Sequence, residues 1–333
     1  MLTLVGNSPS SGSTLLADLL DSTHHTACGP ELGLFATKNF YSKQLSSSIT
    51  PSINASTYCR TNGVNKTNLF AYGLDEVQFK GLVRNSSDKN QFIRLFVERY
   101  LVLRGKDEKG ILFEKTPQNV NCIEEFLAFS QDYYFVSIVR HPESVIRSLI
   151  KRGFSEYVAA STWLLDVAHI YPYLNHPRVI ILKYEDLLEN PFGTIVSLIK
   201  EISGVTLQEE EVKKSYEKNK YREIFEGRIS SWSQQTVGKI GTLKKVGSIQ
   251  YPGIKSMTIK DDYAQYFGLE NVSFKAVALS LGYYDDYDGL TLDSRCEPKF
   301  KDRMDLLKKW LAAVKRREAK LSQLRVFTEP VLC

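Results

Sequence analysis

The stretch Leu2-Thr3-Leu4-Val5-Gly6-Asn7-Ser8-Pro9-Ser10-Ser11-Gly12-Ser13-Thr14-Leu15-Leu16 decides the fold. Leu2 to Val5 is a short run of apolar and β-branched residues, the composition of a buried strand. Gly6 to Gly12 combines two glycines and a proline with small polar residues, so the chain must turn there. Beyond Gly12, Leu15, Leu16, Leu19 and Leu20 recur at helical spacing, with Asp18 and Asp21 between them. A strand, a Gly/Ser loop and a helix start, in that order, aim backbone N–H groups and a helix dipole at a phosphate or sulfate.

An ATPase loop is excluded by spacing. A Walker A motif has four residues between its glycines and a Lys after the second, which reaches the outer phosphates. Here five residues separate Gly6 from Gly12, and Ser13 follows. The stretch resembles the 5′-phosphosulfate loop of sulfotransferases that use 3′-phosphoadenosine-5′-phosphosulfate (PAPS). The continuation Asp21-Ser22-Thr23-His24-His25-Thr26-Ala27-Cys28-Gly29-Pro30-Glu31 is most similar to the branch containing tyrosylprotein sulfotransferases, which has a short helix and then a Cys-Gly-acid-Glu turn.

Three later segments carry the same resemblance. Gly110-Ile111-Leu112-Phe113-Glu114-Lys115-Thr116-Pro117-Gln118-Asn119 reads as a strand running into a loop, and such strand ends are where open α/β sheets bind ligands. Its Lys-Thr-Pro run resembles a sulfotransferase loop whose Lys touches the transferring sulfuryl group. Tyr133 to Val139 is a second apolar strand, ending in Arg140-His141-Pro142-Glu143, with Pro142 suited to the first turn of a helix. Arg140 with Ser148 eight residues on resembles the family's 3′-phosphate site, where the Arg supplies a two-pronged fork and the Ser a hydroxyl. A further apolar strand, 178–182, leads into Lys183-Tyr184-Glu185-Asp186-Leu187-Leu188-Glu189-Asn190-Pro191. That run resembles the family segment whose Tyr lies near the adenine.

The resemblance implies an α/β fold: a P-loop-type parallel sheet of about five strands flanked by helices, with a helical insertion and a helical C-terminal region. One domain over 1–333 is expected, with an insertion at about 40–105 that either covers the acceptor site or decorates the periphery, and a helical extension at about 255–333; the resemblance itself covers neither 40–105 nor the residues beyond 205. The implied reaction moves a sulfuryl group from PAPS to a hydroxyl or amine and leaves 3′-phosphoadenosine 5′-phosphate (PAP); no metal is required by the motifs. Ser10, Ser11, Gly12, Ser13, Thr14, Arg140, Ser148 and Tyr184 are the implied nucleotide contacts, and Glu31 and Lys115 the catalytic pair. Residues 232–247 form a basic, loop-like run with no clean motif, and Lys239, Lys244 and Lys245 are candidates there for the 3′-phosphate.

Three positions depart from the family pattern. Ser10 stands where a Lys or Arg usually follows the loop proline. Pro117 stands where cytosolic members often place a His base, and Pro30-Glu31 keeps one acid of a usual pair. Glu31 falls at the tyrosylprotein branch's spacing from Thr14 for the catalytic acid, while His24 and His25 in the preceding turn are the alternative bases. A non-catalytic PAP or PAPS binder, motivated by Ser10, and a P-loop kinase, disfavoured by Ser13, remain the competing functions.

Elsewhere, amphipathic patterns predict helices over 91–103, 154–170, 194–202, 209–220, 271–281 and 301–321, the last a possible dimer arm. Residues 46–51 and 61–68 read as loops. With 43 basic and 38 acidic residues among 333 the net charge is +5, which suits a small polyanionic ligand and is too weak to argue for nucleic acid, so no nucleic-acid partner is expected. Five scattered cysteines without metal spacing suggest reduced thiols. No signal-like leader or apolar run of ~18 residues occurs, so the expected protein is cytoplasmic, without a membrane span. The acceptor is expected to be a diffusible small molecule, plausibly a bacterial specialised metabolite. Tyr283-Tyr284-Asp285-Asp286-Tyr287-Asp288 would favour a cationic acceptor if it lines the site.

Overall fold

The structure is a computed structural model that describes residues 1–29, 31–35, 41, 58–61, 64–67, 72–74, 76–219, 274–283, 299–302, 304–306 and 308. In chain order come β1 (Leu2–Gly6), α1 (Ser13–Ser22), β2 (Thr26–Cys28), β3 (Tyr58–Thr61), β4 (Val64–Thr67), α2 (Glu76–Asn85), α3 (Lys89–Leu103) and β5 (Ile111–Lys115). Then follow α4 (Ile123–Phe129), β6 (Tyr134–Val139), α5 (Pro142–Ile150), α6 (Glu156–Ala168), β7 (Val179–Lys183) and α7 (Tyr184–Glu189). The last are α8 (Pro191–Ser203), α9 (Glu209–Asn219) and α10 (Phe274–Ser280).

Five strands form one parallel sheet in the order β2-β5-β1-β6-β7. Its strands read as apolar runs because both faces are covered. Leu2, Leu4, Leu112 and Phe135 face a cluster with Phe92, Ile93, Phe96 and Tyr100 of α3. Val5, Phe113, Val136 and Ile138 face Leu15, Leu16 and Leu19 of α1 and Ile195, Leu198 and Ile199 of α8. Beyond β6, Val139 packs with α5, α6 and Phe274, Val277 and Ala278 of α10.

The expected five-stranded parallel sheet is present, and α3 packs directly on it. The helices at 154–170, 194–202 and 209–220 settle at α6, α8 and α9, each within a few residues, with caps explaining the ends. Ser155 Oγ accepts from the Val158 N–H at the start of α6; Asn190 Oδ1 accepts from Gly193 at the start of α8, which Gly204 ends at φ 73°. One reading is corrected: 61–68 is not a loop throughout, because Val64–Thr67 pairs antiparallel with Tyr58–Thr61. Asn62-Gly63 between β-branched residues is a hairpin signal, and strand pairing outweighs its polarity. Residues 46–51 and 309–321 of the dimer-arm pattern lie outside the described residues.

The sheet order places the site. The connection from β1 leaves through α1 to β2 on one side, whereas that from β5 leaves through α4 to β6 on the other. β1 and β5 are neighbours, so a crevice opens beyond their C-terminal ends, where this class of sheet takes ligands. The loop after Gly6 and the residues after Lys115 both emerge there.

Candidate active site

The Gly6–Gly12 loop is built for close approach. Ser10 adopts a left-handed φ of 70°, unusual for a residue with a Cβ, and Gly12, at φ 95°, is the N-cap of α1. A Cβ on Gly12 would lie 2.1 Å from Tyr184 Cδ2, so the ring of Tyr184 occupies the space a side chain would need. The hydroxyls of Ser8 and Ser11 are buried without a hydrogen-bond partner among the described residues. Unpaired buried hydroxyls are costly, and here they sit in a loop that leads into a helix N-terminus.

The β5 end meets this loop through the backbone: the Asn7 N–H donates to Pro117 O at 3.0 Å and the Thr116 N–H to Val5 O at 3.1 Å. Lys115 Nζ donates to Glu31 Oε1 at 2.8 Å, the Lys side chain 5% exposed and the Glu 32%. The acid after Cys28-Gly29 and the Lys of the Lys-Thr-Pro run, 84 residues apart, thus form one ion pair. A buried ammonium at a strand end can balance negative charge, and a part-exposed carboxylate beside it can take a proton.

The end of β6 supplies the next cation. Arg140 Nη1 donates to Ser10 O at 3.0 Å, and its guanidinium lies 4.6 Å from the centre of the Tyr184 ring. Trp163, fully buried, fixes the Arg140 backbone by donating to its carbonyl at 3.2 Å. Burial holds the Tyr184 phenol above its usual range; Arg140 opposes that shift and Glu185 adds to it. Arg152, just past α5, donates from Nη1 to Ser10 Oγ at 3.3 Å. Ser148 stands four residues before it, in the last turn of α5.

A profile of the sulfotransferase family matches residues 4–208, from β1 to the segment before α9. The chain belongs to the sulfotransferase family. No curated protein matches it significantly. Among solved structures, the sulfotransferase domain from the curacin biosynthetic pathway is 19% identical, covering 86% of this chain and 98% of that one at a TM-score of 0.55. The sulfotransferase domain of the Synechococcus PCC 7002 olefin synthase is 18% identical over 86% of this chain and 95% of that one, at 0.47. Sulfotransferase STF1 from Mycobacterium tuberculosis H37Rv is 13% identical over 72% and 76%, at 0.37. At these identities the first of the three speaks for the fold.

For this sulfotransferase, the structure brings together Ser10, Gly12, Arg140 and Tyr184, and separately Glu31 with Lys115, the two groups bridged by the backbone contacts of Asn7 and Thr116. Ser11, Ser13 and Thr14 lie on the loop and first turn of α1. Lys239, Lys244 and Lys245 lie outside the described residues, as do Tyr284 to Asp288. Tyr283, the first residue of that acidic run, is described and donates to Glu185 Oε2 at 3.2 Å. Burial, then Glu185, pushes its phenol far up. The alternative bases are displaced: His24 and His25 both contact Asp107 and precede β2, at the opposite end of the sheet from Glu31. Three residues had no motif to announce them: Ser8, Arg152 and the buried Glu114. The signal for Arg152 was its place one helical turn after Ser148. Among the described residues no helix is long and apolar enough to cross a membrane, and no cluster of acidic, Cys and His side chains has the form of a metal site.

Proposed function

We propose that the chain transfers a sulfuryl group from PAPS to a hydroxyl or amine of a diffusible small acceptor, such as a bacterial specialised metabolite. The observation that carries this reading is the Lys115–Glu31 pair at 2.8 Å, held by backbone contacts beside a Gly/Ser loop that caps a helix. The residues present fit the donor: Ser8 and Ser11 offer buried unpaired hydroxyls, and Gly12 leaves its side-chain space to Tyr184. When bound, PAPS supplies the activated sulfuryl group and a phosphate leaving group.

The chain's own residues divide the work. The N–H groups of Ser11 to Thr14 and the α1 dipole hold the 5′-phosphosulfate. Arg140, Ser148 and Arg152 hold the 3′-phosphate with charge-assisted bonds, and Tyr184 borders the base. Arg152, reaching Ser10, brings a cation to the loop position where relatives carry a Lys or Arg. Lys115 balances charge on the sulfuryl oxygens. Glu31 takes the acceptor's proton, and because it is the more exposed member of the pair, the acceptor enters from its side.

The test combines binding and turnover. The purified chain is incubated with sulfur-labelled PAPS and a panel of alcohols, phenols and amines, and PAP binding is measured by calorimetry. Transfer is expected, and Glu31→Gln should lower turnover by ~10²-fold or more while leaving PAP affinity unchanged. Tight PAP binding with no transfer to any acceptor would make the protein a non-catalytic binder. Binding of ATP with Mg²⁺ in preference to PAP would restore the kinase reading.

A further inference from the structure

Glu114 is the penultimate residue of β5, is 0% exposed, and has no part in the chemistry assigned above. A carboxylate removed from water is costly unless its oxygens are paired, and an apolar residue would fill a core position at least as well. Its pairing is complete and specific. Oε1 accepts from the Leu32 N–H at 3.1 Å, the Gly33 N–H at 3.0 Å and the Thr116 hydroxyl at 2.6 Å. Oε2 accepts from the Asn119 side-chain amide at 2.9 Å, which also donates to Val5 O at 3.1 Å. Gly33 shares its N–H with Thr116 Oγ1 at 2.9 Å and takes a left-handed φ of 66°.

The two backbone donors are those directly following Glu31. Successive strand residues project to opposite faces, so Glu114 and Lys115 leave β5 on different sides. The turn at 31–33 therefore straddles the strand end, its Glu31 side chain on Lys115 and its next two N–H groups on Glu114. We infer that Glu114 is a positioning residue for sulfuryl transfer: it anchors Leu32 and Gly33 so that Glu31 stands at hydrogen-bond distance from Lys115. The inference rests on the reading of Glu31 as base and Lys115 as cation.

Glu114→Gln tests it. The amide keeps the shape, but one oxygen becomes an NH₂ group facing N–H donors, those of Leu32 and Gly33 on one side or that of Asn119 on the other. The expected result is a fall in kcat of about 10- to 100-fold, the usual effect of losing a group that orients a reacting one, with PAP affinity unchanged. In a Glu31→Gln background the same change should cost less than about threefold more, because its effect runs through Glu31. Thr116→Val should reproduce the loss and Thr116→Ser should restore activity, which covers the case in which Glu114→Gln does not fold. Amide hydrogen exchange in a peptide spanning residues 31–35 should quicken in Glu114→Gln. Losses that multiply fully with Glu31→Gln, PAP affinity falling in step with kcat, or unchanged exchange over 31–35 would each overturn the inference. If the wild-type chain transfers no sulfuryl group at all, the proposed function fails by itself, and the exchange measurement still decides whether Glu114 holds the turn.

Discussion

Arg140→Ala is the sharpest perturbation of the nucleotide side, and its size can be worked from the contacts. The side chain is half-buried, donates to Ser10 O at 3.0 Å and lies over the Tyr184 ring at 4.6 Å. Losing these two contacts costs the free protein ~1–2 kcal/mol, the charge-assisted bond being the larger part. Losing one charged partner of the 3′-phosphate costs ~2–5 kcal/mol in binding, and partial exposure places this case in the lower half, about 2–3 kcal/mol. PAP affinity should therefore fall ~30- to ~150-fold at 1.4 kcal/mol per tenfold. Calorimetry with PAP and with AMP, which lacks the 3′-phosphate, isolates the effect. The wild-type chain should prefer PAP, and Arg140→Ala should close most of that gap while hardly touching AMP. Arg140→Lys should fall between, keeping the charge and losing the fork. Equal affinity of the wild-type chain for the two nucleotides would refute the assignment.

Three further outcomes are expected. Lys115→Ala should cut kcat by ~10²- to 10³-fold, the usual loss when a donor to developing charge is removed, and weaken PAP much less; wild-type turnover in single-turnover assays would mean another cation does this work. Gly12→Ala places a Cβ at φ 95° and 2.1 Å from Tyr184, so denaturant titration should show a loss of ~1–3 kcal/mol together with weaker PAP binding; an unperturbed variant would mean the ring is not seated there. Burial pushes the Cys28 thiol above its ordinary value of 9.0, as it pushes Tyr283 and Tyr184 above 10.0. Above pH ~9 the unfolded chain releases that thiol proton and the folded chain keeps it, so stability is full below ~9 and falls as pH rises. Melting followed from pH 8 to 10 should show the decline, and Cys28→Ala should flatten its first part; an identical slope in the variant would remove Cys28 from the account.

What the sequence made legible follows the length of each signal. β1, β5, β6 and β7 are largely apolar runs of five or six residues, the first three ending in loops with Gly, Pro or Arg and β7 running straight into α7, and each was readable alone. β2, only Thr26-Ala27-Cys28, is too short for periodicity and exists because β5 offers it a partner. The hairpin at Tyr58–Thr61 and Val64–Thr67 was obscured by polar residues, since Asn62-Gly63 reads as loop until two strands are known to flank it. In the candidate site, the resemblance and the spacing from neighbouring motifs pointed to Glu31, Lys115, Arg140 and Ser148. Neither could locate Glu114, because a Glu inside an apolar strand shows its purpose only when the N–H groups of Leu32 and Gly33 arrive on it from 81 or more residues away.

The same tertiary closure bears on Ser10. Ser10 is held at φ 70°, where any residue with a Cβ is disfavoured, so the strain is the same for serine as for lysine and does not select between them. With serine, the Ser10 carbonyl and hydroxyl become acceptors, and two guanidinium groups from elsewhere converge on them, Arg140 from the end of β6 and Arg152 from beyond α5. Trp163 grips the Arg140 carbonyl at the end of β6, whereas Arg152 stands exposed in the turn just past α5, whose inner face Val145, Ile146 and Leu149 bury. Charge delivered from a packed strand end, as by Arg140, is better oriented than charge on a loop, because less side-chain freedom is lost when the ligand arrives. The departure at Ser10 thus leaves positive charge beside the loop, on Arg140 and Arg152.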